Sequence, residues 1–388
     1  MNVPSRETAW SRREYRTLRR LITVLVLLFA FLLGVKGLGD GFKLLGRDLL
    51  QAFFAATENP FVGLVVGILA TTLVQSSSVT TSMIVGLVAA PENPLPLANA
   101  VPMIMGANIG TTVTNTIVSL AHMARREEFR RAFSVATCHD FFNYISVLVL
   151  LPLELLTGFL RSIAAFLSSA LQGMSGISYE SPLKGALGAS MAPVKHFAEA
   201  VFSSQGAQAA FLIALSALMI FTALYLLVRV MRKAVQTRVE HFISGVLGSS
   251  AVLSMLVGAL VTVMVQSSSI TTSLLVPLAG AGLVTIEQAF PVTIGANIGT
   301  TVTALLASLA VSGPHAAAGI QIALIHLLFN LSGTLLIYPA QVIRRVPLGA
   351  ARWLADAAVT SRKTALIYLA LLFYVLPALL IFLDRNFR

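Results

Sequence analysis

Charge is scarce in this chain. Asp, Glu, Lys and Arg make up 11% of its 388 residues, against about a quarter in soluble domains. That excludes an ordinary soluble globular protein and points to a membrane class. Acidic residues are the scarcest, 16 against 27 basic ones. Such an excess can mark a nucleic-acid partner, but here the basic residues sit between apolar segments. They read as topology signals and contacts for anionic membrane lipid, with no nucleic acid expected. Cysteine is almost absent, and Cys138 alone excludes an intramolecular disulfide. A cleavable leader is not expected either, because the apolar run after the basic start continues into Lys36 and further apolar segments follow.

Long apolar runs are what the chain does have. Residues 21–33, 207–228 and 365–383 hold no charged side chain. About 20 apolar residues cross a bilayer as a helix. The second and third runs reach that length, and the first does so by continuing to about Gly39.

Much of the sequence is written twice. Residues 74–82, Val-Gln-Ser-Ser-Ser-Val-Thr-Thr-Ser, return at 265–273 with one substitution. Residues 106–114, Gly-Ala-Asn-Ile-Gly-Thr-Thr-Val-Thr, return unchanged at 295–303. His139-x-x-x-Asn143 returns as His326-x-x-x-Asn330. The expected organisation is a cytoplasmic tail and first transmembrane helix (1–39), repeat 1 (40–228), a cytoplasmic linker (229–240) and repeat 2 (241–388).

Cationic residues favour the cytoplasmic side. Arg125, Arg126, Arg130 and Arg131 follow the first Asn motif, whereas residues 311–315, after the second, contain no Lys or Arg. Equivalent loops are therefore expected on opposite faces, as in inverted-topology repeats. With the N-terminus, 125–131, 229–238 and 344–363 inside, Lys36, Lys43, Arg47, Arg161, Lys184, Lys195, Arg385 and Arg388 fall outside, and so does the C-terminus.

The Gln-Ser-Ser-Ser stretches interrupt runs too short to cross. Fourteen residues, 61–74, reach about 21 Å as a helix, against a hydrocarbon core of about 30 Å. Each pair, 61–74 with 79–90 and 251–265 with 270–283, is expected to form a re-entrant helical hairpin that breaks at the serines. The fold class is thus an all-α membrane protein of two inverted repeats, each with a re-entrant broken hairpin, plus an extra N-terminal transmembrane helix. Broken backbone is tolerated at membrane depth only in a protein interior or a wet cavity, so the two breaks are expected to meet near mid-bilayer.

Serine hydroxyls and the free N–H groups of a starting helix suit a buried phosphate. Ser76, Ser77, Ser78, Ser267, Ser268 and Ser269 are the candidates, supported by Thr80, Thr81, Thr271 and Thr272 in the first turns. Gln75 and Gln266 offer carbonyl oxygens suited to Na⁺. The Gly-x-x-x-Gly spacings at 106–110 and 295–299 also suit close helix packing, and Asn108 and Asn297 either bind an ion or tie helices together. His139, Asn143 and Asn330 are expected to serve as structural hydrogen-bonding groups, as is His326, rather than as proton carriers.

These motifs, with Glu-Phe-Arg-Arg-Ala-Phe at 128–133 and His-Asp-Phe-Phe-Asn at 139–143, resemble the type II sodium-dependent phosphate cotransporters. The resemblance implies Na⁺-coupled phosphate symport by alternating access, with no enzymatic activity and no cofactor beyond Na⁺. It implies phosphate on the serine motifs and Na⁺ on Gln75, Gln266, Asn108, Thr111, Thr112, Asn297, Thr300 and Thr301. Animal members carry a large disulfide-linked outer loop, whereas 171–205 here is short and cysteine-free, which suggests a bacterial inner membrane. Rival readings are symport of another small oxyanion, phosphate export, a passive anion channel and an intramembrane serine hydrolase.

Overall fold

A computed structural model describes residues 6–44, 57–174, 182–246, 250–311 and 313–387. Arg47, Arg388 and the 175–181 part of the expected outer segment lie outside them. The described residues form helices joined by turns and short loops, without a strand among them. Among the described residues six helices are long and apolar enough to cross a membrane, and this is a membrane protein. Large side chains such as Leu73, Leu148, Leu156 and Leu335 lie exposed, as lipid-facing residues do.

Helix α1 (Arg6–Leu44) lies along α9 (Gln205–Val246). The segment expected as a linker at 229–240 is helical and continuous with α9, since no Gly or Pro interrupts it and Arg and Lys are good helix formers. Between these long helices come α2 (Pro60–Val74), α3 (Ser77–Val88), α4 (Leu97–Thr111), α5 (Val113–Leu120), α6 (Arg126–Thr157), α7 (Phe159–Met174) and α8 (Pro182–Val201). The second half follows with α10 (Ala251–Val265), α11 (Ser268–Ser273), α12 (Leu275–Gly280), α13 (Ile286–Ala310), α14 (Ala316–Ile337) and α15 (Gln341–Thr360). It closes with α16 (Arg362–Ala370), a π-turn (Leu371–Val375) and α17 (Leu376–Phe387).

The helix breaks have local causes. Gln75 and Gln266 both adopt the left-handed conformation at φ 56°, and the next helix starts two residues later on a capping serine. Pro277 withholds the N–H that Ser273 would accept, so α11 and α12 are interrupted at Leu274, which keeps right-handed helical backbone. Pro377 withholds the partner of Phe373 and the helix widens into the π-turn.

The interruption between α4 and α5 has no such cause. Residues 106–114 and 295–303 are identical, yet the first copy breaks at Thr112 and the second runs through α13 unbroken. Tertiary surroundings decide this difference.

Two glycines, Gly106 and Gly295, hold the short helices against the asparagine helices. A Cβ on Gly106 would stand 1.9 Å from Leu64 O, and one on Gly295 would stand 1.9 Å from Met255 O. Only hydrogen fits there, so α2 meets α4, and α10 meets α13, at backbone contact. The halves are also interleaved. Helix α3 packs on α13, α11 on α5, α6 on α15 and α14 on α7.

Several polar contacts join segments distant in the chain. Arg130 pairs with Asp356 at 2.5 Å, Arg131 donates to Gly280 O at 2.9 Å, and Arg352 pairs with Glu287. Separately, Lys36 and Lys195 share Asp40, and Asn59 donates to Asp384 at 2.7 Å.

Gly106→Ala and Gly295→Ala are each expected to push two helices apart at a cost of about 1–3 kcal/mol, the usual range for overpacking. Gly349→Ala, on an exposed helix face with nothing within 4 Å, is the control. Equal melting temperatures for all three variants in detergent would refute the close-contact account.

Candidate functional site

Both helix breaks open on one cavity of about 250 Å³. Gln75 and Ser76 line it from the first half, Gln266 and Ser267 from the second, and Phe221, Leu224 and Tyr225 of α9 close its side. A water occupies about 30 Å³ of liquid, so the space holds a small hydrated ion.

The serines divide by position. The Ser76 side chain accepts from Val79 N and that of Ser267 from Ile270 N, each capping its helix. Ser77, Ser78 and Ser268 are buried, whereas Ser269 is half-buried. Helix geometry leaves the N–H groups of the first turns of α3 and α11 without intrahelical acceptors. Thr80 donates to Ser76 O and Thr271 to Ser267 O, and the Thr81 hydroxyl donates to Ser78 O.

Each glutamine is held the same way. Nε2 of Gln75 donates back to Thr72 O and that of Gln266 to Val263 O. Oε1 of Gln75 accepts from Thr114 at 3.0 Å, and Oε1 of Gln266 from Thr303 at 2.9 Å. One lone pair on each amide oxygen is left over. Thr111, Thr112, Thr300 and Thr301 donate to carbonyls of their own helices, leaving their hydroxyl lone pairs free.

Behind the cavity, a directional line of hydrogen bonds crosses between the halves. The Thr272 hydroxyl donates to Asn115 Oδ1 at 2.9 Å, and Asn115 Nδ2 meets His139 Nδ1 at 3.4 Å. His139 Nε2 lies 2.6 Å from Asn297 Oδ1. An amide oxygen only accepts, so Nε2 carries the proton and Nδ1 is the acceptor. Asn297 Nδ2 then donates to Asn143 Oδ1 at 2.9 Å, and Asn143 Nδ2 to Asn108 O at 3.1 Å. All of these residues are buried.

The reciprocal line is weaker. His326 Nε2 and Asn330 Nδ2 each reach Asn108 Oδ1 at 3.4 Å. His326 Nδ1 has no partner, because Ala304 stands where the first half has Asn115. Asn297 does not sit at a helix break; it lies inside continuous α13. The two asparagines tie one half to the other.

The family model for the Na⁺/Pi-cotransporter matches residues 30–178 and 218–379. The chain belongs to this family. It is 32% identical to sodium-dependent phosphate transport protein 2B of Homo sapiens, the alignment covering 97% of this chain and 68% of that protein. It is 35% identical to sodium-dependent phosphate transport protein 2A of Ovis aries, over 95% and 68% respectively. No solved structure is a significant match. The gap in the cotransporter match, 179–217, overlaps the segment 171–205 that is short here. The family consists of transporters and not enzymes; in keeping with that, both ring nitrogens of His139 meet asparagines, so it is no serine's base.

Thr114 and Thr303, which hold the glutamines, were missing from the sequence candidates although they close the repeated nine-residue motif. Asn115, one residue past the motif, has no counterpart in the second half and carries no repeat signal. Tyr368, which donates to Asp140 from α16, leaves no trace in the sequence at all.

Asn297→Ala removes the partners of His139 Nε2 and Asn143 Oδ1 together. Each orphaned buried group costs about 1–3 kcal/mol, so a large drop in melting temperature is expected. Asn330→Ala, which loses a 3.4 Å contact and one helix back-bond, should cost clearly less. A drop for Asn330→Ala as large as that for Asn297→Ala would show that the crossed line does not carry the interface.

Proposed function

We propose that this protein carries inorganic phosphate across a membrane together with Na⁺, by alternating access to the cavity between the two Gln-Ser-Ser-Ser breaks. The carrying observation is that cavity, where Ser76 and Ser267 from opposite halves face one small space. Phosphate is bound by the serine hydroxyls and by the first-turn N–H groups of α3 and α11, where the helix dipole is positive. Na⁺ is bound by the remaining lone pairs of Gln75 and Gln266, with Asn108, Asn297, Thr111, Thr112, Thr300 and Thr301 as further oxygen ligands. The names of the relatives, sodium-dependent phosphate transport proteins, support this reading.

The two halves are inverted repeats, and α2–α3 and α10–α12 are re-entrant hairpins. The grouping of polar contacts supports this. Arg130, Arg131 and Arg352, all assigned to the inside, line one pocket with Glu287, and Lys36 and Lys195, both assigned to the outside, share Asp40. Repeat 1 spans 40–228 and repeat 2 spans 241–388, joined through α9. The N-terminus is cytoplasmic, the C-terminus external, and the membrane is the inner membrane of a bacterium.

Each elementary charge moved across the field changes the free energy by about 2.3 kcal/mol per 100 mV. A divalent phosphate entering a negative interior is opposed by roughly twice that. Two Na⁺ cancel the electrical opposition, so coupling to at least two is required for field-independent uptake.

In proteoliposomes, radiolabelled phosphate uptake is expected to need an inward Na⁺ gradient and to vanish when choline replaces Na⁺. Uptake indifferent to that replacement would overturn the symport reading in favour of a channel. Ser76→Ala with Ser267→Ala should raise the half-saturating phosphate concentration by about ten-fold or more, each lost charge-assisted hydrogen bond being worth about 1.5–3 kcal/mol. Unchanged saturation would remove these serines from the site.

A further inference from the structure

Two arginines differ from their neighbours in charge balance. Arg125, Arg130 and Arg352 each have a carboxylate partner. Arg126 and Arg362 are exposed and pair with no carboxylate among the described residues. They come from opposite halves of the chain, yet both line one pocket of about 240 Å³ where α6, α15 and α16 meet. Met123, Phe129 and Val359 give the pocket an apolar side, and no acidic residue lines it.

The depth of this pocket follows from the chain. Arg126 and Arg362 are the first residues of two candidate membrane spans, Arg126–Thr157 and Arg362–Asp384. A pocket at the start of two spans lies at the level of the lipid headgroups.

Helix α15 leads into the pocket and is itself not a candidate span. Its faces are of three kinds. Leu348, Ala351, Ala355 and Ala358 are buried against the core. Val342, Val346 and Trp353 share a second face by helical spacing and are 78%, 54% and 69% exposed. Arg345, Arg352 and Asp356 occupy a third, exposed flank. An exposed apolar face with a Trp on it, beside a charged flank, is the pattern of a helix lying in the membrane interface.

Guanidinium groups hold phosphate oxygens through paired N–H donors. Basic pockets between membrane helices on the positive side suit anionic lipid headgroups. Here two guanidinium groups without a counter-carboxylate stand beside an apolar wall. That combination fits a phosphodiester carrying hydrocarbon tails. A zwitterionic headgroup brings its own cation and leaves the pocket's charge unbalanced.

We infer that Arg126 and Arg362 bind the phosphate of an anionic phospholipid whose tails lie along the exposed face of α15. The leaflet is the cytoplasmic one under the topology proposed above, but the site does not depend on what is transported.

The full-length protein in neutral detergent would be melted with added phosphatidylglycerol or phosphatidylcholine at fixed ionic strength. Phosphatidylglycerol should raise the melting temperature of wild type more than phosphatidylcholine, since a ligand bound only by the folded state stabilises it. Arg126→Gln and Arg362→Gln should each raise the half-maximal phosphatidylglycerol concentration about five-fold, and the double variant should lose most of the shift. Arg345→Gln removes an exposed cation of α15 outside the pocket and should titrate as wild type does. A second measurement needs no melting. In phosphatidylcholine bilayers, with Trp10→Phe as background, a minor fraction of brominated phosphatidylglycerol should quench Trp353 fluorescence more than the same fraction of brominated phosphatidylcholine. The double arginine variant should abolish that difference.

Equal shifts or equal quenching by the two lipids in wild type would overturn the inference. So would a loss in Arg345→Gln as large as in Arg126→Gln, which would leave only general surface charge. A shift with inorganic phosphate alone that both arginine variants lose would make a free anion the occupant and overturn the lipid assignment.

Discussion

The line of hydrogen bonds from Thr272 through Asn115, His139, Asn297 and Asn143 to the Asn108 carbonyl is the constraint on which the site's geometry depends. It crosses between the halves three times, and every member is buried. Buried polar groups are stabilising only when satisfied, and costly when they are not. The line therefore fixes register: a small slide of α13 past α6 would orphan several groups at once. Because Thr272 also lies in α11, the same line ties the second hairpin to the first half.

Close helix contact makes that line possible. Gly106 and Gly295 allow α4 and α13 to meet the backbones of α2 and α10, which keeps each Asn helix against its own broken hairpin. Glycine contacts thus set distances within a half, and asparagine–histidine contacts set distances between halves. Gln75 and Gln266, fixed by Thr114 and Thr303, stand where the two sets converge.

The departures from symmetry are as informative as the symmetry. The first half has Asn115, Thr116 and Asp140 where the second has Ala304, Leu305 and Leu327. One His is consequently bonded on both nitrogens and the other on one. One Asn helix is broken and its twin is continuous. Duplication supplied two equivalent scaffolds, and a few polar replacements made one of them different.

How much of this was legible in advance follows from how far each feature reaches along the chain. Apolar length, charge scarcity and the doubled motifs are local, so membrane class and the helix breaks at the two Gln-Ser-Ser-Ser stretches could be read from the sequence alone. A break needs only a run too short to span and residues that prefer caps. The threonines on the glutamines lay inside the repeated motif yet were unassigned, because spacing does not reveal which way a hydroxyl points. Tyr368 against Asp140, Asn115 against Thr272, and the different backbone of two identical nine-residue stretches were decided only by tertiary structure. In each case the partner sits more than 150 residues away or in the other half, and the energy that selects the conformation comes from burial of polar groups that meet only once the halves have packed.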